Sequence, residues 1–269
     1  MAVDRDISLA ALTVLGLPPP EMIAVAARCG YSHVGLRPIA ATPTEVHFPI
    51  LTDAALRRET RAMMLDTGIG VLDIEILRLK PETVISDFER ALALGAEFGA
   101  RFALIAGNDP DLARTADNFA ALCELAYSFG IRPHLEFMPW TDVPDIMTAL
   151  QIVGETHNVG LLVDAFHLNR SGGKTADIPP DDARFGYLQL CDIAGPVPVN
   201  MDDIISEARA ARLFPGDGDC PLPALIDRVP AGVPISLEIP SDALRKHGLS
   251  AEDIARRAML ATRRILDAL

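Results

Sequence analysis

Eight short apolar runs, separated by longer amphipathic stretches, most constrain how this chain can fold. The runs lie at residues 7–15, 33–38, 70–77, 102–106, 132–137, 159–166, 186–191 and 234–239. Apolar runs of this length are typical of buried β-strands. Strands that alternate with helical patterns predict a parallel sheet covered by helices. Because most of the eight runs are followed by a helical pattern, the sequence predicts an α/β fold, a single (β/α)₈ TIM barrel.

The helical patterns and the remaining segments support one domain. Helices are predicted at residues 19–29, 53–67, 81–98, 111–129, 143–156, 222–229 and 250–268. No Gly-x-Gly-x-x-Gly motif follows the first apolar run, so the main sequence signal of a dinucleotide-binding domain is absent. We find no interior linker and expect one domain over residues 1–269. The longest irregular segment, 194–219, follows the seventh predicted strand, where barrel enzymes place functional loops.

Composition narrows the function classes. The net charge of −13 is spread along the chain, which argues against nucleic-acid binding because that needs clustered cations. The four cysteines show no Cys-x-x-Cys spacing, and no apolar stretch is long enough to span a membrane. We therefore expect a cytoplasmic enzyme with a small-molecule substrate and neither nucleic acid nor membrane as partner. The sequence leaves open whether the chain forms a homo-oligomer.

Polar residues stand at the carboxyl ends of four consecutive predicted strands. They are Glu136, Asp164, Gln189 and Glu238. In a barrel these strand ends converge on one mouth, where three buried carboxylates need a cation or protons. Each could alternatively bond a helix N-terminus or an arginine, and Gln189 could bond substrate instead. We expect one divalent metal ion on the four side chains, with Mn²⁺ or Mg²⁺ favoured because all the ligands are oxygens.

At this point the residues resemble the xylose-isomerase-like barrels of sugar isomerases and epimerases. The segment Asp164-Ala-Phe-His167-Leu-Asn169 is similar to Asp-Thr-Phe-His-Met-Asn of the ketose 3-epimerases, in which the Asp binds metal and the His contacts substrate. The resemblance, clear over residues 131–240, implies that Glu136 and Glu238 are both metal ligands and the catalytic acid/base pair. Those epimerases have His where this chain has Gln189.

A second branch of the same superfamily, the bacterial 3-dehydroshikimate dehydratases, has Gln as its third metal ligand. Three segments carry this resemblance: Gln189-Leu-x-Asp192, Arg209-x-x-Arg212-x-Phe214-Pro215-Gly216-x-Gly218-Asp219, and Ser236-Leu237-Glu238-Ile239. The dehydratase motif Glu-Ala-Leu-Ala-Trp-Gly is here Glu136-Phe-Met-Pro-Trp140, and Arg37 follows the second strand where an acidic residue is usual. The residues expected to bind metal are therefore similar to those of the dehydratases, while the residues expected to contact substrate differ.

Five further residues are candidates for substrate binding: His167, Arg212, Arg37, Glu75 and Trp140. We expect Arg212, before a Pro-Gly turn, to reach the mouth and anchor a carboxylate or a substrate oxygen. The alternative is a surface arginine paired with nearby acids, just as His167 could be purely structural. Arg37 and Glu75, at the predicted ends of strands two and three, could face the mouth or pair with a helix. Gly216 and Gly218 could cradle an anion.

The predicted site suits removal of a proton next to a carbonyl. We expect a metal-dependent isomerase or epimerase acting on a hydroxy-ketone or keto-polyol through a metal-stabilised enediolate. Because the same intermediate can lose hydroxide, a 3-dehydroshikimate dehydratase-type lyase using the same site is the alternative. A third class, a hydrolytic barrel with several zinc ions, is disfavoured by the scarcity of His at the strand ends. The sequence does not identify the substrate, its phosphorylation state or the native metal.

Overall fold

Eight parallel strands close into a barrel in chain order, each paired with its neighbours and β1 paired with β8. The structure is a computed structural model that describes residues 5–269. The strands are β1 (Ile7–Leu9), β2 (His33–Leu36), β3 (Gly70–Leu79), β4 (Phe102–Gly107), β5 (Arg132–Glu136), β6 (Gly160–Asp164), β7 (Leu188–Leu190) and β8 (Ile235–Leu237). The predicted (β/α)₈ barrel is confirmed.

Ten α-helices lie among the described residues. They are α1 (Pro19–Cys29), α2 (Ala54–Thr67), α3 (Glu89–Glu97), α4 (Leu112–Tyr127), α5 (Ile146–Val153), α6 (Ala165–Arg170), α7 (Met201–Ala210), α8 (Leu222–Ile226), α9 (Asp242–Lys246) and α10 (Ala251–Leu266). None of the helices in this part of the chain is both long and apolar enough to cross a membrane.

Helix boundaries follow from side-chain capping. Asp53, Asp111 and Ser250, with which three predicted helical segments begin, are N-caps whose side-chain oxygens accept backbone N–H groups of α2, α4 and α10. α1 matches its predicted bounds because Pro19 begins it and Gly30, at φ 82°, ends it.

Several predicted boundaries are wrong. The first strand was expected over residues 7–15, but it ends at Leu9 and a 3₁₀ helix follows at Ala11–Val14. Glu75 does not end the third strand, which continues to Leu79. The segment 194–219 is not irregular throughout, since it contains α7, whose N-cap Asn200 accepts the backbone N–H of Asp203. α6 and α9 were not predicted.

Two apolar cores hold the barrel. The larger fills the space between strands and helices. The smaller lies inside the barrel and consists of Leu72, Ile76, Leu104, Ala106, Met138, Leu162 and Tyr187. Strand register sets the polar side chains beside this inner core: Asp164 pairs with Gln189, Gln189 with Ser236, and Ser236 with Ser8. Because side chains of registered neighbours point the same way, these four share the inner face of the barrel.

Candidate metal and substrate site

The four side chains predicted as metal ligands lie at the carboxyl ends of β5 to β8. Glu136 and Asp164 are the last residues of β5 and β6, Gln189 is the middle residue of β7, and Glu238 follows β8 directly. All four are buried, with Glu238 the most exposed at 5%. The apolar strands thus deliver three acids and an amide to one end of the barrel, where barrel enzymes hold their active sites.

A cavity of about 590 Å³ opens at this end of the barrel. All five residues predicted to bind substrate line it: His167, Arg212, Arg37, Glu75 and Trp140. Glu136 and Glu238 line it as well, whereas Asp164 and Gln189 are not among its lining residues. Trp140 packs edge-on against His167, with ring centroids 5.0 Å apart. The cavity is large enough for a small-molecule substrate.

Asp164 is held from two sides. Its Oδ1 accepts the backbone N–H groups of Phe166 at 2.6 Å and His167 at 3.2 Å, which caps α6. Its Oδ2 accepts a hydrogen bond from Arg212 Nη1 at 2.8 Å. The carboxylate is therefore fixed in position, and α6 carries His167 back towards the cavity.

Arg212 lies in the site but not as a free anchor. Its side chain is 2% exposed, and its Nη2 lies 3.0 Å from Glu238 Oε2 while Nη1 contacts Asp164. Its Nε donates to the backbone carbonyl of Ala208 at 2.8 Å. Burial lowers the pKa of Arg212, but the charges of Asp164 and Glu238 outweigh burial and raise it above its usual value. The expectation that Arg212 presents its donors to substrate is not supported, because buried protein carboxylates already engage them.

Glu136, Asp164 and His167 form the tightest group of candidate ligands among the described residues. One potential ligand atom from each lies within 4.8 Å of the others, and His167 Nε2 is 3.8 Å from Glu136 Oε1. The sequence had assigned His167 to substrate rather than to metal. Glu238 lies outside this group and pairs with Arg212, which also binds Asp164, while strand register places Gln189 beside Asp164.

Unpaired buried atoms test whether these residues fit a metal ion. Glu136 Oε1, both amide atoms of Gln189 and His167 Nδ1 have no hydrogen-bond partner among the described residues. Leaving such groups buried and unpaired costs free energy, and a divalent cation would satisfy the oxygens of Glu136 and Gln189. The donor set therefore fits a metal ion, with oxygen ligands predominating.

Burial also changes the acidity of the site. It raises the pKa of Glu136 well above its usual range, an effect that the charges of Asp164 and Glu238 reinforce. Burial raises the pKa of Glu238 to about 7, although Arg212 opposes this. Burial lowers the pKa of His167 to about 3, so its imidazole is neutral at pH 7. Burial, reinforced by the neighbouring carboxylates, therefore favours the protonated forms of Glu136 and Glu238.

Arg37 and Glu75 both line the cavity and pair with each other. Arg37 Nη2 lies 2.8 Å from a carboxylate oxygen of Glu75, and its Nη1 lies 3.0 Å from one of Glu45. The other oxygen of Glu75 accepts the backbone N–H of Ala11 at 2.8 Å. The two predicted alternatives, facing the mouth or forming an ion pair, are therefore combined, but the partners of Arg37 lie in β3 and in the segment after β2 rather than in a helix.

Backbone N–H groups of the Gly-rich loop after α7 bind the carboxylate of Asp192. Asp192 Oδ2 accepts the backbone N–H of Gly216 at 2.8 Å, and Oδ1 accepts that of Cys220 at 3.0 Å. A Cβ at Gly218 would lie 2.5 Å from the same Oδ1. The loop is thus tied to the end of β7, which fixes the segment that begins with Arg212.

Four charged residues of the cavity were not predicted to bind substrate or metal: Glu45, Arg78, Arg209 and Asp242. Arg78 could have been found, since a cation between Leu77 and Leu79 interrupts an apolar strand. Glu45 lies in a polar loop that gives no such signal, and Arg209 was considered only as part of the loop motif.

The chain belongs to the xylose isomerase-like TIM barrel family, whose model matches residues 23–265. No curated protein matches the sequence significantly. Among solved structures, a fusion of a xylose isomerase-like TIM barrel with a 4-hydroxyphenylpyruvate dioxygenase is 21% identical with a TM-score of 0.79; the match covers 97% of this chain but only 42% of that protein.

Two similar structures cover nearly the whole of both chains. A D-allulose 3-epimerase from Methylomonas sp. is 16% identical with a TM-score of 0.67, over 98% of this chain and 99% of that one. A probable 3-DHS dehydratase from Bacillus anthracis is 14% identical with a TM-score of 0.73, over 96% and 98%. At these identities the likeness establishes the fold.

Proposed function

We propose that this chain is a divalent-metal-dependent isomerase or epimerase that moves a proton next to the carbonyl of a hydroxy-ketone or keto-polyol. The observation that carries the proposal is the pair Glu136 and Glu238. Both are buried, both line one cavity, and burial raises the pKa of each. Two carboxyl groups that face one cavity and can exchange a proton with a substrate are what such a reaction requires.

The metal ion would be held by Glu136, Asp164, Gln189 and Glu238, with His167 close enough to contribute a nitrogen. We favour Mn²⁺ or Mg²⁺ because most of the donors are oxygens. When bound, a divalent ion supplies Lewis acidity, which stabilises negative charge that develops on a carbonyl oxygen.

The two glutamates then have complementary roles in proton transfer. They approach the cavity from β5 and β8, three strands apart around the barrel. One removes the proton next to the carbonyl, and the other returns a proton at the adjacent carbon or on the opposite face.

The surrounding residues position these groups. Arg212 holds Asp164 and Glu238 at a fixed separation through its two Nη atoms. His167, neutral at pH 7, can donate or accept a hydrogen bond at a substrate oxygen, and Trp140 forms an apolar wall beside it. This apolar wall limits the access of water to the reacting carbon.

A dehydratase-type lyase is the second candidate. Gln189, which resembles the amide ligand of the 3-dehydroshikimate dehydratases, is buried with both amide atoms unpaired. That observation favours an amide ligand, but it does not separate return of a proton from loss of hydroxide.

The proposal is tested by exchange of a substrate C–H hydrogen with solvent deuterium, rather than by product formation alone. Metal-loaded protein in D₂O is incubated with ketoses, inosoles and 3-dehydroshikimate, and loss of the C–H signal is followed by NMR. We expect exchange with at least one compound, and its loss in Glu136→Gln and Glu238→Gln. Glu59→Gln, on the exposed face of α2, is the matched control and should keep the wild-type rate. Exchange that persists in both site variants would overturn the proposal.

A further inference from the structure

Two arginines at the rim of the cavity have no acidic partner. Arg78, in β3, and Arg209, in the last turn of α7, both line the cavity. Arg78 Nη1 donates to Asn108 Oδ1 at 2.8 Å, which fixes the side chain without neutralising it. Within residues 5–269, neither guanidinium forms an ion pair with a carboxylate.

The other two arginines of the cavity each have two carboxylate partners. Arg37 pairs with Glu45 and Glu75, and Arg212 with Asp164 and Glu238. Among the cavity arginines in the described residues, Arg78 and Arg209 are therefore the two that lack a carboxylate partner.

The two cations also act on each other. The pKa of Arg78 is lowered, first by burial and then by the positive charges of Arg209 and Arg37. An anion between the two guanidinium groups would relieve their repulsion.

We infer that Arg78 and Arg209 bind an anionic group of the substrate, a carboxylate or a phosphate, so that the substrate is an acidic hydroxy-ketone rather than a neutral polyol. This rests on the proposed function, in which the reacting carbonyl lies at Glu136 and Glu238. Arg78, Arg209 and the two glutamates line the same cavity, so one small molecule can contact both groups. Guanidinium groups suit this role because their parallel donors match carboxylate and phosphate oxygens.

The test compares binding of charged and neutral compounds by isothermal titration calorimetry on metal-loaded protein. The probes are 3-dehydroshikimate and its methyl ester, and fructose 6-phosphate and fructose, so that each anion has a neutral counterpart and carboxylate is distinguished from phosphate. The variants are Arg78→Gln and Arg209→Gln. Arg58→Gln, on the exposed surface of α2, removes the same charge outside the cavity and is the control. Circular dichroism confirms that each variant is folded.

We expect at least one anionic probe to bind more tightly than its neutral counterpart, and each rim substitution to weaken that binding about tenfold, as for loss of a charge-assisted hydrogen bond. Binding of the neutral probes should change less than twofold. Equal affinity for charged and neutral probes, or anion binding that both variants retain, would contradict the inference. Neither result would affect the proposed function, which is tested separately by C–H exchange that depends on Glu136 and Glu238. Conversely, arginine-dependent anion binding without any C–H exchange would support the anion site and count against the proposed function.

Discussion

Arg212 Nη1 donates a hydrogen bond to Asp164 Oδ2 at 2.8 Å inside a site where neither side chain is more than 2% exposed. The arginine is therefore part of the framework that holds the predicted metal ligands. Its removal would leave the carboxylates of Asp164 and Glu238 buried without a cation, and breaking a buried ion pair costs about 3–5 kcal/mol.

The first prediction follows from that ion pair. Arg212→Gln should lower the melting temperature strongly in the presence of a chelator, and Mn²⁺ should restore a substantial part of the loss because the ion supplies the missing positive charge. Thermal unfolding with EDTA and with Mn²⁺ measures the difference. Arg170→Gln is the control, since Arg170 forms a buried pair with Glu207, at 2.6 Å, away from the predicted ligands. An equal response to Mn²⁺ in both variants would show that Arg212 does not serve the metal site.

The second prediction concerns Gln189. Replacing the amide by imidazole in Gln189→His should retain a bound metal ion and shift preference towards Zn²⁺ or Co²⁺, which favour nitrogen ligands. Competitive loading followed by elemental analysis measures the preference. Unchanged selectivity would place Gln189 outside the ligand set.

The third prediction concerns Asp73, whose two carboxylate oxygens are buried without a hydrogen-bond partner. Burial, then the charges of Glu75 and Glu238, raise its pKa well above the usual range. A carboxyl group whose pKa is higher in the folded state favours folding less as pH rises above its unfolded value of about 3.9.

Asp73→Asn removes this cost, so the variant should be more stable than the wild type at pH 7, and the difference should shrink as the pH falls towards 4. Urea unfolding at several pH values measures the difference. A stability difference that does not depend on pH would rule out titration of Asp73 as its cause.

The fourth prediction tests the loop that carries Arg212. In Gly218→Ala the added methyl group would meet Asp192 Oδ1 and the backbone carbonyl of Ile193, so the loop must move. We expect a loss of about 1–3 kcal/mol in unfolding free energy, typical of overpacking, together with weaker metal binding. Gly16→Ala is the matched control because no atom lies within 4 Å of its added Cβ. If the two variants are equally stable, the loop is more pliable than the structure indicates.

The sequence predicted the barrel because its apolar runs and helix caps are local signals. Eight runs gave eight strands, and the polar residues with which three predicted helical segments begin, Asp53, Asp111 and Ser250, cap their helices. The end of β1 could not be predicted, since the backbone N–H of Ala11 is bound by Glu75 from β3, a contact between residues far apart in the chain. α7 could have been found, because Asn200 followed by Asp202 and Asp203 is a helix-start signal.

The sequence predicted where the site residues lie but not which of them form ion pairs with one another. Strand ends place Glu136, Asp164 and Glu238 at one mouth, and that much follows from the fold. Which donors remain free depends on tertiary contacts: Arg212 is engaged by Asp164 and Glu238, whereas Arg78 has no acidic partner among the residues described. A single sequence gives no signal of ion pairs between different loops. For this reason the sequence favoured Arg212 as the substrate anchor, whereas we now propose Arg78 and Arg209.

Metal stoichiometry tests the central claim most directly. Purified protein loaded with Mn²⁺ and freed of excess ion should contain about one ion per chain by elemental analysis, as one converging ligand set implies. Glu136→Gln and Glu238→Gln should each contain markedly less under the same conditions, since each loses a charged oxygen donor. Equal metal content in the wild type and both variants, or several ions per chain, would contradict the account.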